Sequence, residues 1–591
     1  MSPRELVTEH LDLWTGAVTK KSRSGRGSNG KVALTGIKKL RELILELAIR
    51  GKLLPQNPKD DPASSLYARI KEVEHDLVAN KTIRKAKNQS DIAAEEIEFQ
   101  IPDNWMWTRL GSVGQIIGGG TPKSGEPSYW TNDGIKWLTP ADLYGLKHKY
   151  ISEGKRDISE LGLEKSSAHL LPKGSVLFSS RAPIGYVAIT TEELATNQGF
   201  KNCAPFIYEM NEFLYFFLKR SARQIDASAS GTTFKEVSGS KVASIRVPLP
   251  PLEEQHRIVQ KVDELMALCD RLEQQTSNQL EAHETLVDAL LGTLIQSQNV
   301  TELADSWTRL AAHFDTLFTT EQSIDKLKQT VLQLAVMGRL VEQNPANEST
   351  SHLLQRVECE IKDLVKKGKI KKFKQALEIE GTEKPFSIPQ SWEWVPLGNL
   401  SLHSAAGWSP KCLDTPRDDG RWGVLKVSAV TWGAFRPDEN KELPSHLEPK
   451  PEYEIQPFDF LISRANTAEL VARSVVVPNT APRNLMMSDK IIRFAFSEQV
   501  EPSYINLFNN CSYARSYYLS VAGGTSSSMK NVSRAQVQSL EIPLPPQDEQ
   551  QRIVQRVDEL MALCGQLKKR LNQASETRCQ LADTVVEAAL G

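Results

Sequence analysis

The chain has 591 residues, of which 40% are hydrophobic and 25% charged, and its formal net charge is −1. This length exceeds what a single hydrophobic core supports and predicts several domains, while the composition is that of an ordinary globular protein. The first ten residues lack the apolar stretch of a signal peptide, and no run reaches the ~18 apolar residues of a membrane span, so the sequence predicts a cytoplasmic protein.

The first strongly periodic stretch is written twice. Residues 37–58, IKKLRELILELAIRGKLLPQNP, return at 324–345 as IDKLKQTVLQLAVMGRLVEQNP. Apolar residues at spacings of three and four predict helices over 37–53 and 324–340, each ending near a glycine. The chain is therefore interpreted as two tandem copies of one plan.

A second helix is predicted in each copy, over about 63–80 and 350–367, and a basic run follows each helix. Such a run is ordinarily a solvated surface. Each run leads directly into the least repetitive part of its copy, and a set of phosphate contacts is therefore the alternative interpretation. The basic residues are Lys81, Arg84, Lys85 and Lys87 in the first copy and Lys366, Lys367, Lys369, Lys371, Lys372 and Lys374 in the second.

The two copies stop resembling each other between Gly111 and Pro248, and again between Gly398 and Pro543, although their flanks still match. Alternating apolar and β-branched segments with Gly and Pro turns replace the helix formers in these inserts, which predicts small α+β domains. We interpret the inserts as two modules of one fold that recognise different targets.

The most similar stretch follows each insert. Residues 248–270, PLPPLEEQHRIVQKVDELMALCD, return at 543–565 as PLPPQDEQQRIVQRVDELMALCG, with 18 of 23 positions identical. Adjacent prolines end a strand, carboxylates suit a helix N-terminus, and the apolar residues that follow form a seam. The seam fits either a helix lying on its own domain or a coiled coil between the copies, and we favour the coiled coil. The seam residues are Ile258, Val262, Leu265, Cys269, Leu272, Ile553, Val557, Leu560, Cys564 and Leu567.

No motif for catalysis or metal binding is recognisable in the sequence. The segment 25–31, GRGSNGK, superficially fits a phosphate-binding loop, but Val32 stands where a Ser or Thr must hold magnesium, and no strand precedes it. The seven cysteines include no Cys-x-x-Cys pair, so neither a zinc site nor a disulfide framework is indicated. We therefore predict a non-catalytic chain that binds no metal or cofactor of its own.

Several polar residues of the inserts are candidates for DNA contacts. Each insert contains a Ser-Arg-Ala string, and we interpret the two strings as matched, so that Arg181 and Arg464 are duplicated residues. Arginine is the best single reader of guanine, whereas Asn and Gln pair bidentately with adenine. A hydroxyl-rich glycine loop, GTTFK or GTSSSMK, precedes each proline pair and suits phosphate contacts. Ordinary turn or surface chemistry is the alternative for each residue alone. The candidates are Thr121, Lys123, Arg181, Asn197, Gln198 and Lys235 in the first insert and Lys411, Arg464, Asn466, Lys490 and Lys530 in the second.

These features give the whole chain a resemblance to the specificity (S) subunits of type I restriction–modification enzymes, most of all to the type IB branch. The resembling segments are the repeated PLPPxxEQxRIV and VDEL stretches, the IPxxWxW start of each insert, the GGGTP segment and Asn197-Gln198-Gly199. In the second insert Ser488-Asp489-Lys490 stands where the family has Asn-Gln, so only the first insert carries that pair.

The resemblance implies an α+β fold in which two target recognition domains are joined by conserved helices that form an antiparallel coiled coil, as a pseudo-twofold tandem repeat. Each domain would recognise one half of a bipartite site in double-stranded DNA, and the helices would set the spacer and dock two modification (M) subunits. S-adenosylmethionine, ATP and Mg would belong to the M subunits and the restriction (R) subunits, which carry out adenine methylation and restriction.

The alternative function is a tandem-repeat scaffold that binds proteins without DNA specificity. Only a DNA-binding chain should lose affinity for its ligand steeply as the salt concentration rises.

Six segments are expected from the repeat and the resemblance. The expected segments are an N-terminal helical region (1–97), a recognition domain (98–251), a long coiled-coil helix (252–298), a central helical region (299–384), a second recognition domain (385–546) and a C-terminal coiled-coil helix (547–591).

Overall fold

A computed structural model of the chain describes residues 9–20, 32–84, 90, 92–181, 183–229, 235–297, 300–370, 384–431, 433–524 and 529–590. Several predicted features lie outside these ranges: the segment 25–31, most of both hydroxyl-rich glycine loops, and five of the basic residues, Lys85, Lys87, Lys371, Lys372 and Lys374. Within the described residues, no helix combines the length and apolar character that a membrane span requires.

The repeated flanks are helical, as predicted. The two periodic stretches form helices that end before glycines in the left-handed region, Gly51 at φ 68° and Gly338 at φ 70°, where a side chain would be strained. The helices of the first copy are α1 (Leu11–Gly16), α2 (Thr35–Ile49), α3 (Ala63–Ala79), α4 (Leu110–Val113), α5 (Glu160–Glu164), α6 (Asn211–Ser228), α7 (Gly239–Ala243) and α8 (Leu252–Gln296). Those of the second are α9 (Val300–Ala312), α10 (Phe314–Leu317), α11 (Glu321–Val336), α12 (Thr350–Lys366), α13 (Leu397–Leu400), α14 (Pro502–Asn510), α15 (Ser512–Val521), α16 (Arg534–Gln538) and α17 (Gln547–Leu590).

Both inserts are rich in short strands, as their composition predicts. The strands of the first copy are β1 (Thr19–Lys20), β2 (Val32–Ala33), β3 (Met106–Arg109), β4 (Gly114–Gly118), β5 (Trp130–Thr131), β6 (Ile135–Leu138), β7 (Tyr150–Ile151), β8 (Arg156–Ile158), β9 (Val176–Phe178), β10 (Val187–Thr190), β11 (Ala195–Thr196), β12 (Lys201–Pro205) and β13 (Arg246–Leu249). Those of the second are β14 (Glu393–Pro396), β15 (Ser401–Ala406), β16 (Gly423–Leu425), β17 (Asn440–Glu442), β18 (Phe460–Ser463), β19 (Ala465–Asn466), β20 (Ser474–Val476), β21 (Leu485–Met486), β22 (Ile491–Phe496), β23 (Lys530–Asn531) and β24 (Glu541–Leu544).

The two inserts have the same strand order although their sequences differ. The larger sheet runs β4-β12-β9-β10 in the first insert, with β7 added at its edge, and β15-β22-β18-β20 in the second. In the smaller sheet a short strand pairs in parallel with an earlier one, β11 with β6 and β21 with β16. The prediction that the inserts are two modules of one fold agrees with this shared topology.

The strand that precedes each insert pairs with the strand at the end of that insert. In β3 and β13 Trp107 lies opposite Pro248, and in β14 and β24 Trp394 lies opposite Pro543. The two adjacent prolines follow these strands directly, and α8 and α17 begin after them, as the sequence predicts. Each insert is therefore closed at its base by an antiparallel pair that leads into a long helix.

The first turn of α8 is anchored by a buried carboxylate. Glu254 is 1% exposed and accepts hydrogen bonds from the Trp105 indole at 2.9 Å and the Gln56 amide at 2.7 Å. In the second copy Glu549 is also 1% exposed and accepts from the Gln343 amide at 2.5 Å, and burial raises its pKa. The repeated Glu-Gln of the helix start therefore ties the long helix to the helical region and the base of the insert.

The chain divides into two compact units, residues 1–280 with 573–591, and residues 281–572. The first unit thus contains the end of α17, and the second contains the end of α8. In the first unit Lys39 of α2 forms an ion pair with Asp583 at 2.5 Å, and Lys52 donates to the Leu590 carbonyl at 2.7 Å.

The second unit has the corresponding contacts at the repeat mates of these residues. Lys326 of α11 forms an ion pair with Asp288 at 2.7 Å, and Arg339 donates to the Ile295 carbonyl at 2.8 Å. Each long helix therefore begins in its own copy and ends in the unit that contains the helical region of the other copy.

The predicted seam residues are buried in the core of the unit in which each lies. Ile258, Val262, Leu265, Cys269 and Leu272 belong to the first core together with apolar residues of α2. The core of the second unit contains Ile553, Val557 and Cys564, with Leu560 and Leu567 partly buried against it. Burial raises the pKa of the Cys269 thiol to about 11, so it is a packing residue rather than a reactive one. Each seam thus packs on a helical region, as the alternative interpretation expects, and the pairing of the two seams with each other stays a prediction.

A half-buried ion pair joins α2 to α6 of the first insert. Arg220 donates to both oxygens of Glu46, at 2.6 and 2.7 Å, and Arg50 donates to the same carboxylate at 2.8 Å. Burial opposes ionisation of Glu46, but its hydrogen bonds and charge interactions with Arg220 and Arg50 hold the pKa of the carboxyl below its ordinary value.

We expect Glu46→Gln to lower the free energy of unfolding at neutral pH by about 1–3 kcal/mol, because the Arg220 guanidinium loses its bidentate partner. The folded-state pKa is lowered, so this stabilisation is present above the ordinary carboxyl pKa and is lost as the pH falls through the folded-state value. Urea unfolding of both proteins at neutral and acidic pH measures the effect. Glu42→Gln is the matched control, because its partner Arg223 on the same helix pair is 69% exposed, and we expect a change within about 0.5 kcal/mol. Equal losses for the two variants would contradict the role given to Glu46.

Candidate nucleic-acid interface

In the first insert, polar side chains gather where β4, β9 and β11 end. Thr121 lies three residues beyond β4 and Gln198 two residues beyond β11, and the Thr121 hydroxyl donates a hydrogen bond to Gln198 Oε1. The backbone holds the two segments together, because Gly120 N–H donates to the Thr196 carbonyl at 2.8 Å. Both Thr121 and Gln198 are exposed, so the pair is accessible to a ligand.

The neighbouring Asn197 has a different position from Gln198. Its Oδ1 accepts a hydrogen bond from Gly199 N–H at 2.9 Å within the same loop, and the residue is only partly exposed. This local bond resembles an Asx turn and fixes the loop. Of the predicted Asn-Gln pair, Asn197 therefore shapes the turn and Gln198 presents its side chain to solvent.

Arg181 lies beside this loop, because Ser180 N–H donates to the Gly199 carbonyl at 2.7 Å. The Arg181 guanidinium is paired with Glu236 at 3.0 Å, and Lys201 approaches the same carboxylate at 3.6 Å. The adjacent Lys235 forms an ion pair with Asp226 of α6 at 3.6 Å. The structure thus brings Arg181 and Lys235 to the same edge of the insert as Gln198, each with a carboxylate partner.

The Thr121 segment continues into Lys123, whose side chain is exposed. The Lys123 carbonyl accepts a hydrogen bond from the Trp130 indole at 3.2 Å, and the Arg156 guanidinium lies 4.4 Å from the centroid of that ring. The aromatic side chain thus fixes the backbone that carries Lys123. All six predicted residues of the first insert are therefore found on connected loops at one edge.

The second insert has a corresponding pair at its own strand ends. Ser409 lies three residues beyond β15, and its hydroxyl donates to Asp489 Oδ1 at 2.5 Å, while Asp489 N–H donates back to the Ser409 oxygen at 3.0 Å. Trp408 N–H donates to the Met487 carbonyl at 2.9 Å, which matches the Gly120 bond in the first insert. The Ser409 hydrogen bond and the neighbouring Lys490 and Arg464 charges hold the pKa of Asp489 below its ordinary value.

The other predicted residues of the second insert surround Asp489. Arg464 is exposed, and its N–H donates to the Lys490 carbonyl at 2.7 Å, while the Lys490 ammonium lies 3.5 Å from Asp489. Asn466 pairs with Lys530 across β19 and β23. The Lys530 ammonium donates to the Gly524 carbonyl at 2.7 Å, so this side chain also fixes the adjacent loop.

Lys411 lies apart from these residues, two positions beyond Ser409. It lines an open cleft of about 760 Å³ together with Cys412, His446 and the ion-paired Arg421 and Glu442. Lys411 is exposed and belongs to a Ser-Pro-Lys string that matches Thr-Pro-Lys at 121–123. Neither Ser409 nor the pairing role of Asp489 was predicted from the sequence. The repeated hydroxyl-Pro-Lys string is the sequence signal that points to Ser409.

The match between the two Ser-Arg-Ala strings is wrong. Val237 N–H donates to the Ser180 carbonyl and Val532 N–H to the Arg464 carbonyl, so Ser180 rather than Arg181 is the structural mate of Arg464. Arg181 instead bridges to Glu236, as Ala465 does to Asn531. Successive residues of an extended strand face opposite sides, and a shift of one position therefore changes the surface to which each arginine belongs. Arg181 and Arg464 are not duplicated residues.

Comparison with known proteins identifies the family. Residues 102–282 and 445–576 match the family model for the type I restriction modification DNA specificity domain. The chain is similar, over all of its length and all of theirs, to two Escherichia coli proteins: the type I restriction enzyme EcoEI specificity subunit, 38% identical over 609 residues, and the EcoAI specificity subunit, 35% identical over 610. A crystal structure of the HsdS subunit from Thermoanaerobacter tengcongensis covers 83% of this chain and 98% of its own, with 19% identity and a TM-score of 0.41.

The family match covers the first insert, the second insert from residue 445 onward, and the start of each long helix. Full-length relatives at 35–38% identity place the rest of the chain in the same family. The observed α+β fold with two recognition domains and long helices is consistent with the predicted fold class. The chain belongs to the specificity subunits of type I restriction–modification enzymes, the non-catalytic subunits that recognise the DNA sequence.

Proposed function

We propose that each insert of this specificity subunit recognises one half of a bipartite site in double-stranded DNA. The supporting observation is the shared strand order of two inserts with different sequences, each presenting a hydroxyl and a polar partner at the same point. A shared scaffold with different side chains suits two readers of different sequences. The recognition domains correspond to the expected segments 98–251 and 385–546.

The long helices α8 and α17 set the spacer between the two half-sites in this proposal and dock two modification subunits. Type I specificity subunits act together with modification and restriction subunits, so the catalytic chemistry lies outside this chain. S-adenosylmethionine, ATP and Mg belong to those partners, and methylation falls on adenines of the bipartite site.

The exposed cations of the recognition edges provide the sequence-independent part of binding. Lys123, Lys235 and Lys490 suit phosphates, which position a protein on the duplex without specifying bases. Two of these cations, Lys235 and Lys490, are paired with carboxylates, so the chain alone binds DNA with moderate affinity, and its partner subunits add to it. The protein-binding scaffold without DNA specificity is not favoured by membership of this family.

The decisive experiment maps methyladenine in DNA from cells that express the chain with its modification subunit. We expect one bipartite motif, and exchange of residues 112–247 for the insert of a relative should change one half of it and leave the other half and the spacer intact. DNA affinity of the purified complex should also fall steeply with salt, as release of counterions requires. A motif that changes in both halves, or no motif from an assembled complex, would refute the proposal.

A further inference from the structure

Gln198 and Asp489 occupy the same position in the two recognition domains. Each lies on the loop of four residues that joins a short parallel strand to the sheet, from β11 to β12 and from β21 to β22. Each accepts a hydrogen bond from the hydroxyl of the hydroxyl-Pro-Lys string, Thr121 in the first domain and Ser409 in the second. The equivalence comes from strand pairing and hydrogen bonding, since the sequences of the two loops are unlike.

The glycines beneath these loops strengthen the equivalence. A Cβ on Gly119 would lie 1.9 Å from the Asn197 carbonyl oxygen, and a Cβ on Gly407 would lie 2.0 Å from that of Met487. In both domains the segment that follows the first strand of the larger sheet, β4 or β15, therefore passes directly under the loop. Only glycine permits this close approach. The loop and the hydroxyl segment form one rigid projection in each domain.

The two side chains differ in the hydrogen bonds that they can make. The Gln198 carboxamide both donates and accepts, whereas an ionised carboxylate such as that of Asp489 only accepts. Ser409 satisfies one oxygen of Asp489, and the ammonium of Lys490 lies 3.5 Å from the other. Phosphates repel a carboxylate, so on a surface that faces DNA Asp489 suits an amino group on a base edge rather than the backbone.

We propose that Gln198 and Asp489 are equivalent base-reading positions, at which Gln198 pairs with adenine and Asp489 accepts a hydrogen bond from the exocyclic amine of cytosine. The proposal rests on the function proposed above and adds which residues discriminate and which base each selects. Thr121 and Ser409 hold the two side chains in position, and the flanking Lys123 and Lys490 contact phosphates. Arg464, which occupies the position of Ser180 in the shared register, reads a neighbouring base in the second domain only.

The test uses the purified complex of this chain with its modification subunit and a DNA library in which every position of both half-sites is randomised. Asp489→Asn replaces the acceptor-only carboxylate by a carboxamide of the same shape. We expect the preference at one position of one half-site to move from cytosine towards adenine by about 5- to 150-fold, with the other half unchanged. Gln198→Glu should produce the opposite change at one position of the other half-site.

Asp419→Asn is the matched control, because it removes the same charge from an exposed carboxylate of the same domain that lies before the start of β16, whereas the loop follows the end of the parallel strand β21. We expect it to leave every base preference unchanged. Unaltered preferences in both Asp489→Asn and Gln198→Glu would overturn the proposal, while a bipartite motif of the unmodified complex would leave the proposed function standing. Selection of no motif by the unmodified complex would refute the proposed function itself. If Asp489→Asn fails to fold, the result for Gln198→Glu alone decides the test. If a folded variant loses all sequence selectivity, the substituted residue does not read a single base, and the proposal is overturned as well.

Discussion

Replacement of Ala582 by aspartate is expected to lower the free energy of unfolding of the first unit by about 3–5 kcal/mol. Ala582 lies in the last part of α17, yet it is fully buried in the core that α2 and α8 form. A carboxylate at this position would exchange water for the apolar core that also contains Ile37 and Leu40, and burial of an unpaired charge is among the most destabilising of single changes. Urea unfolding followed by circular dichroism measures the loss.

Leu581→Asp is the matched control for this prediction. Leu581 precedes Ala582 in the same helical turn but is 51% exposed, so an aspartate there remains in water. We expect its free energy of unfolding to stay within about 0.5 kcal/mol of the unmodified protein. If the two variants unfold alike, the end of α17 does not belong to the core of the first unit.

Gly119→Ala is expected to displace the loop that carries Gln198. The added Cβ would lie 1.9 Å from the Asn197 carbonyl oxygen and 2.4 Å from that of Thr196, and backbone atoms cannot turn aside as a flexible side chain can. Overpacking of this kind costs about 1–3 kcal/mol of stability, and loss of the base contact proposed for Gln198 should weaken binding to the cognate site by a further amount of about 1–3 kcal/mol. Thermal unfolding and titration with cognate DNA measure the two effects separately.

Gly118→Ala is the control, because the nearest atom to its added Cβ is the flexible end of the Lys201 side chain at 3.9 Å. We expect unchanged stability and unchanged DNA affinity for this variant. Gly407→Ala should repeat the Gly119→Ala effect in the second domain and weaken recognition of the other half-site only. Equal tolerance of alanine at Gly118 and Gly119 would contradict the close approach of strand and loop.

Much of the fold could be predicted because the chain is written twice. The predictions placed the ends of α8 and α17 within two residues and those of α2 and α11 within four, since helical periodicity, left-handed glycines and adjacent prolines are local signals. The family resemblance predicted DNA recognition, which the family match confirmed. These successes concern segments in which neighbouring residues determine the structure.

The remaining features depend on contacts between distant segments. Backbone hydrogen bonds to distant residues, from Val237 to Ser180 and from Val532 to Arg464, set the register of the two Ser-Arg-Ala strings. No local pattern shows this register, so the two strings were matched one position out of step. The seam of α8 shows by its spacing that one face is buried, but spacing does not identify the covering element. Likewise nothing local in α17 shows that Ala582 completes the core that contains α2.

The exchange of helix ends has a consequence for synthesis of the protein on the ribosome. The first unit needs residues 573–590, which are made roughly 300 residues after the rest of that unit has emerged. At a synthesis rate of 5–20 residues per second, its core stays open for about 15–60 s. During this interval α8 already packs on α2, but the part of the core that Ala582 completes lacks its cover, so the nascent chain is more exposed to aggregation until its last helix is complete.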